Sequence, residues 1–354
     1  MMKKKIVTLT LCSAMFVAAI SGCGKQEAPT APDTEATTAA EVTEASEEPT
    51  TEAEVHEGTL AQDRAGNDIY LPDKVEKIVS MAPSTTRFLI DLGLGDKIIA
   101  IDTNSAVYAA SLTDATAASS SDAASSTDAS SIKQFDMMAP DNEALVALKP
   151  DIIFTSGMSN VGGEDVYKPA RDAGICVADI PSSSSIEDIV KDLEFIGKAV
   201  KQEEKAGKLI DQFNGSLEDI ILKGRDVTEK KKVLFMISLP TADYPSVYTF
   251  GKGTYLDEMI TDIGAVNVTG DQEGWISISE EEAIAMNPDV IVTNVNYVDD
   301  AVNAIKTAPG WENVAAVQND AVYYIDADSS NQPNNHIIDA MLEMAKQVYP
   351  DTYK

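Results

Sequence analysis

Residues 143–156 read EALVALKPDIIFTS, and residues 281–294 read EEAIAMNPDVIVTN. Six of these fourteen positions are identical, among them Glu143/Glu281, Pro150/Pro288 and Asp151/Asp289, and most others exchange one apolar residue for another. Each copy has a short helical pattern, then a proline, then a β-branched run. Proline lacks the N–H that a helix interior needs, and a short apolar run bounded by turns reads as a buried strand. Two such helix–strand units about 140 residues apart predict two related α/β lobes. A chain of 354 residues has room for both.

The chain ahead of the first lobe reads as targeting and tether. Lys3–Lys5 are positive, and Ile6–Ile20 is an apolar run of 15 residues, short of the roughly 20 needed to span a membrane. The sequence Ile20-Ser21-Gly22-Cys23 follows. It resembles a bacterial lipoprotein signal, which implies cleavage of residues 1–23 and a lipid on Cys23. Residues 24–57 are rich in Glu, Thr, Ala and Pro. They lack the apolar side chains needed to fold and read as a disordered acidic tether. The expected location is the outer face of the cell membrane, and the long tether favours a Gram-positive surface.

The first lobe is expected over 58–200. Asp63–Pro72, centred on Gly66-Asn67, has the chemistry of a β-hairpin. Lys77–Met81 reads as a strand, Ser84 or Thr85 as a helix cap, and Ile98–Ile101 as the next strand, giving a βαβ unit. Residues 105–131 contain ATAASSSDAASSTDASS and read as a low-complexity surface insertion, with a lid over ligand as a further option. Residues 201–223 predict a connecting helix whose apolar side carries Ala206, Leu209, Ile210, Phe213, Leu217 and Ile221. The second lobe is expected over 224–354, with a strand from Lys232, aromatic loops at Pro240–Gly253 and around Trp275, the second repeat copy and a C-terminal helix from about His336. The fold class is therefore α/β: two Rossmann-like lobes, one long connecting helix and a cleft between the lobes.

Composition removes several functions. A formal charge of −31 argues against nucleic acid, whose phosphates require clustered Lys and Arg. The two histidines are His56 in the tether and His336 near the end, too few for a zinc or manganese site. No G-x-S-x-G, G-x-x-x-x-G-K-[ST] or G-x-G-x-x-G motif is placed for catalysis or nucleotide binding. Cys176, inside GICVADI, reads as a small buried hydrophobe, and Trp311 as core. The chain offers no poised base or nucleophile for an enzyme. What remains is a set of segments at the carboxyl ends of strands, where ligands bind in doubly wound sheets. They supply Met81, Pro83, Asn104, Met137, Met138, Tyr244, Tyr248, Trp275 and Tyr297 as candidate ligand contacts.

KIVSMAPSTTRFLIDLGLGDKIIAID, APDNEALVALKPDIIF, GKGTYLDEMITDIGAVNV, GWISISEEEAIAMNPDVIV and VYYIDADSSNQPNNHIIDAMLEMA occur in that order. In these stretches, across about 58–350, the chain resembles substrate-binding proteins of ABC importers that capture vitamin B12, ferric siderophores and haem. The resemblance implies a monomer that holds a metal chelate between its lobes and delivers it to a permease dimer with its ATPase. It also implies that Glu143 and Glu281 dock onto permease arginines. The chain departs from relatives at Arg87, where many carry Glu, and it keeps only Trp275 of the aromatic positions that B12 binders present. None of Arg64, Arg87, Arg171 and Arg225 lies in an expected cleft loop, which favours a neutral or cationic chelate, such as a hydroxamate complex or a corrinoid. Haem held by His336 with Met137 or Met138 is a third option.

Overall fold

The computed structural model describes residues 58–112, 132–157, 163, 165–241 and 243–354. The signal, Cys23, the tether with His56, and most of the 105–131 insertion lie outside them. Thirteen strands are seen among the described residues: β1 (Thr59–Gln62), β2 (Asp68–Leu71), β3 (Ile78–Ser80), β4 (Ile98–Asp102), β5 (Lys133–Phe135), β6 (Ile152–Ser156), β7 (Cys176–Ile180), β8 (Lys232–Met236), β9 (Ser246–Phe250), β10 (Val266–Asn267), β11 (Trp275–Ser279), β12 (Val290–Thr293) and β13 (Val322–Tyr324).

Two parallel sheets carry the fold. The first has the order β5-β4-β3-β6-β7, and the second β10-β8-β12-β13. In each, the strand order reverses beside the earliest strand, between β3 and β6 and between β8 and β12. The two repeat copies therefore supply β6 and β12, the strands on the far side of each reversal. Their shared residues do the same work twice. Lys149 and Asn287, just before the prolines, both adopt a left-handed backbone (φ 50° and 45°). The Asp151 carboxylate accepts the N–H groups of Glu76 and Lys77 at 2.7 and 2.8 Å, and that of Asp289 accepts the Lys232 N–H at 2.8 Å. Each aspartate thus clips the start of the neighbouring strand, and its own N–H returns to Lys77 or Lys232 at 2.9 Å.

The long helix, Glu203–Arg225, lies between the two sheets in sequence. It buries Ala206, Phe213 and Ile220, with Leu209, Ile210, Leu217 and Ile221 half-buried, so its innermost apolar line passes through Ile220 rather than Ile221. One apolar cluster runs from Ile78 and Phe154 of the first sheet through Phe213 and Ile220 to Val233 and Val292 of the second. Gly224 lets the end of this helix approach the next segment; a Cβ there would meet the Asp262 carbonyl oxygen at 2.1 Å. Tyr353 adds a clip, its hydroxyl lying 3.0 Å from the Ile220 carbonyl and 3.1 Å from that of Ile263.

Several expectations are corrected. The first helix, Pro83–Asp91, is entered from Ala82 with no side-chain cap: proline itself occupies the first turn, where its missing N–H costs nothing. The stretch after β4 is ordered further than its composition implied, with Thr103–Tyr108 forming a 3₁₀ turn capped by Asp102 and with Tyr108 and Leu112 buried. The aromatic segments around Tyr248 and Trp275 are not loops but an antiparallel pair, β9 and β11, with Trp275 opposite Phe250. Alternation along VYTF and WISIS places successive side chains on opposite faces. β5 has no counterpart among the strands expected from the sequence; it reads KQF, with Lys133 and Gln134 polar and exposed, so it has no apolar run to mark it.

Candidate functional site

The cleft is built from the carboxyl ends of the two sheets. On the first sheet's side, Pro83 opens the first helix and Asn104 is exposed on the 3₁₀ turn. That turn is fixed by buried Asp102, whose carboxylate accepts the N–H groups of Asn104 and Ser105 at 2.8 and 3.1 Å and the Ser105 hydroxyl. Burial raises the Asp102 pKa above its ordinary 3.8 despite those hydrogen bonds. Met138 is exposed. Met81 and Met137 are not available: Met81 is 0% exposed, and both pack with Phe135, Ile153 and Tyr167. As apolar side chains at strand ends they complete the core, while their backbones bond elsewhere: the Met81 N–H donates to the Phe154 carbonyl at 2.9 Å, and the Met137 carbonyl accepts from the Tyr167 hydroxyl at 3.1 Å.

On the second sheet's side, Tyr248 and Trp275 stack with centroids 6.1 Å apart and planes 15° apart. Phe250 and Tyr255 meet Trp275 edge-on at 6.2 and 6.3 Å. The buried pair supports the exposed pair from behind: Phe250 and Tyr255 are buried, whereas Trp275 is 49% exposed and Tyr248 40%. Tyr244 and Tyr297 are more exposed still; the Tyr297 hydroxyl accepts the Leu239 N–H at 3.2 Å. Trp311 is instead core, with its indole N–H on Glu280 at 2.7 Å.

The Tyr255 hydroxyl donates to the Ser330 carbonyl at 3.0 Å and so ties the aromatic cluster to segment 326–335. That segment borders a cavity of about 300 Å³ shared with Arg87 and Tyr108 of the first lobe. Across it runs a polar clasp. Asp91, at the end of the first helix, accepts from Asn335 Nδ2 at 2.9 Å, lies 2.9 Å from His336 Nε2, and pairs with Arg87 at 3.3 Å. The His336 Nδ1 meets Asp339 at 3.1 Å. The hydrogen bond to Asp91 raises the His336 pKa above 6.5, against burial. Burial alone would raise Asp91, but the His336 and Asn335 hydrogen bonds and the neighbouring charges hold it below 3.8. A second link lies elsewhere: Glu258 accepts the Ile186 N–H at 2.6 Å.

Two sequence expectations change here. Arg87 does line the space between the lobes, because the first helix turns it toward segment 326–343. His336 is a poor haem ligand, since both ring nitrogens are engaged by carboxylates that favour its protonated form. Asp91, Asp328 and Asn334 carry no signal in the sequence beyond membership of two stretches, RFLIDLGLG and DADSSNQPNNH, and Tyr108 lies in neither. Cys176 is half-buried, and burial pushes its thiol up to about 12, so it is no nucleophile at neutral pH. Among the described residues no group of His, Cys, Asp and Glu would hold a metal ion.

Glu143 and Glu281 are both exposed, each the second residue of a six-residue helix, Asn142–Ala147 and Glu280–Ala285. The helices are capped alike, by Asp141 on the Ala144 N–H and Ser279 on the Glu282 N–H. Neither glutamate has an ion-pair partner among the described residues.

The sequence profile of the periplasmic binding protein family matches residues 78–329. An uncharacterized ABC transporter substrate-binding lipoprotein, YvrC of Bacillus subtilis, is 30% identical over 293 residues, covering 82% of this chain and 86% of that protein. A vitamin B12-binding protein of Vibrio cholerae is 24% identical over 271 residues, 76% of this chain and 88% of its own. The crystal structure of a possible iron-binding (periplasmic solute-binding) protein from Staphylococcus epidermidis superposes with a TM-score of 0.62 at 26% identity, covering 78% of this chain and 100% of that one.

Proposed function

This chain belongs to the periplasmic binding protein family, and from that premise we propose that it captures a ferric hydroxamate-type chelate or a corrinoid between its lobes. It is the substrate-binding protein of an ABC transporter; the nature of the cargo is our reading. The observation that carries it is the exposed Tyr248–Trp275 stack, tied through Tyr255 to the segment that lines the interlobe cavity. A flat, backed aromatic face suits a large ligand with apolar edges and polar tips. The role is transport rather than catalysis. Delivery would proceed through Glu143 and Glu281 to the permease dimer, with the protein acting as a monomer tethered at the cell surface by a lipid on Cys23.

Titration of the protein with ferric trihydroxamate, cobalamin and haem, followed by tryptophan fluorescence, tests the reading. Trp311 is 1% exposed, so a change reports on Trp275. One of the first two is expected to quench at micromolar concentration or below. Silence with all three would remove Trp275 from the site.

A further inference from the structure

The interlobe cavity is unevenly charged. Its two cations are already engaged: Arg87 pairs with Asp91, and His336 lies between Asp91 and Asp339. Asp326, Asp328 and Glu343 line the same cavity. Among the described residues no lysine, arginine or histidine pairs with any of them. Asp326 accepts the Ser329 N–H at 2.8 Å, and Glu343 accepts the Asp326 N–H at 3.1 Å. Their field reaches the opposite wall. The Tyr108 phenol is pushed up to about 12, first by burial and then by the charge of Asp328.

An independent observation points to an occupant. Asn334 lines the cavity and is 0% exposed. Its Oδ1 accepts the His336 N–H at 2.8 Å, but its Nδ2 has no hydrogen-bond partner. A buried donor left unpaired is costly, so this one calls for an acceptor on whatever enters.

We infer that the cavity receives a positively charged arm of the captured ligand, its cationic nitrogen facing Asp326, Asp328 and Glu343 and a nearby carbonyl oxygen accepting from Asn334. This rests on the chelate-capture reading and adds the charge and shape of the cargo. A cavity of about 300 Å³ is at the low end for ligand pockets. It has room for an arm, while the body of the chelate lies on the aromatic face. Because these carboxylates form no metal-holding group, they suit an ammonium or guanidinium rather than a bare divalent ion.

Ferric desferrioxamine B, a linear trihydroxamate with a free amine, and its N-acetylated form share the same chelate body and differ in the charge of the arm and one acetyl group. Binding of both is measured by fluorescence titration for the unmodified protein and for Asp328→Asn with Glu343→Gln. The free amine form is expected to bind about tenfold tighter, and the double variant to lose that preference while still binding the acetylated form. Equal affinities in the unmodified protein, or a preference that survives the double variant, would overturn the charged arm and leave chelate capture standing. Binding of cobalamin alone, unchanged by the two substitutions, would do the same. Failure of both hydroxamates, cobalamin and haem to bind would overturn both readings.

Discussion

Asp91 gathers Arg87 from its own helix and Asn335 and His336 from a segment some 245 positions along the chain. Its contribution and that of His336 have opposite pH dependence. The folded pKa of His336 is raised above 6.5, so the stability it adds is complete below about 6.5 and is lost as pH rises through the raised value. That of Asp91 is held below 3.8, so its contribution is present above about 3.8 and is lost as pH falls through the lowered value. The clasp is therefore complete between those limits. Thermal melts should show the unmodified protein exceeding His336→Gln by a wider margin near pH 5.5 than near pH 9, with the margin narrowing steadily between. A margin independent of pH would mean that protonated His336 does not hold the lobes. At the aromatic face, Trp275→Ala removes the more exposed member of the stack and should weaken ligand binding about tenfold, ~1.4 kcal/mol, while the loss of its three aromatic contacts lowers the melting temperature by only a few degrees. Calorimetric titration beside a melt separates the two effects.

At the scale of elements, the duplicated unit is a structural clip before it is anything else. Asp151 accepts two backbone N–H groups and Asp289 one, each at the start of the strand beside it. Charge-assisted bonds of this kind are worth about 1–3 kcal/mol. Asp289→Ala should fall near the lower end of that range and Asp151→Ala nearer the upper, read from urea unfolding, with ligand affinity unchanged. The long helix is constrained more tightly. At Gly224 a methyl group would overlap the backbone at Asp262 and Gly264. Gly224→Ala should therefore cost about 1–3 kcal/mol, although alanine favours helix elsewhere. A stabilised variant would show that the helix end can move away from its neighbour.

For the whole molecule, the apolar cluster that passes from one sheet through the long helix to the other leaves no soft linker between the lobes. The expectation is that opening takes the form of small rotations, for which the Asp91 clasp and the Glu258–Ile186 bond would have to break. The proposed permease contact belongs to this scale as well. Glu143 and Glu281 occupy equivalent exposed positions on equivalent helices and hold no ion-pair partner among the described residues. Exposed ion pairs are worth about 0.2–1 kcal/mol each, so their effect would be on orientation and encounter rather than tight affinity. Glu143→Ala with Glu281→Ala should leave ligand titrations unchanged and reduce uptake by cells. Normal uptake would remove both residues from the docking surface.

What the sequence determined by itself is the architecture. The repeat, the βαβ order and the apolar line of the long helix are written in local periodicities of two and 3.6 residues, which survive without knowledge of the third dimension. It also marked Trp275, which follows a glycine, and Tyr248, which lies in an aromatic-rich segment after a strand, and the two stack in the fold. Composition set one limit: β5 reads KQF, with two exposed polar residues and no apolar run. Tertiary structure alone decided which strand-end residues face the cleft. Met81 and Met137 sit where a sequence reader looks for ligand contacts, yet the neighbouring Phe135, Ile153 and Tyr167 enclose them. Arg87, Asp91, Asn334 and His336 form one site only because the first helix and the segment before the last helix end against each other. That proximity is produced by packing two sheets on a shared core, and no local pattern encodes a contact between residues so far apart in the chain.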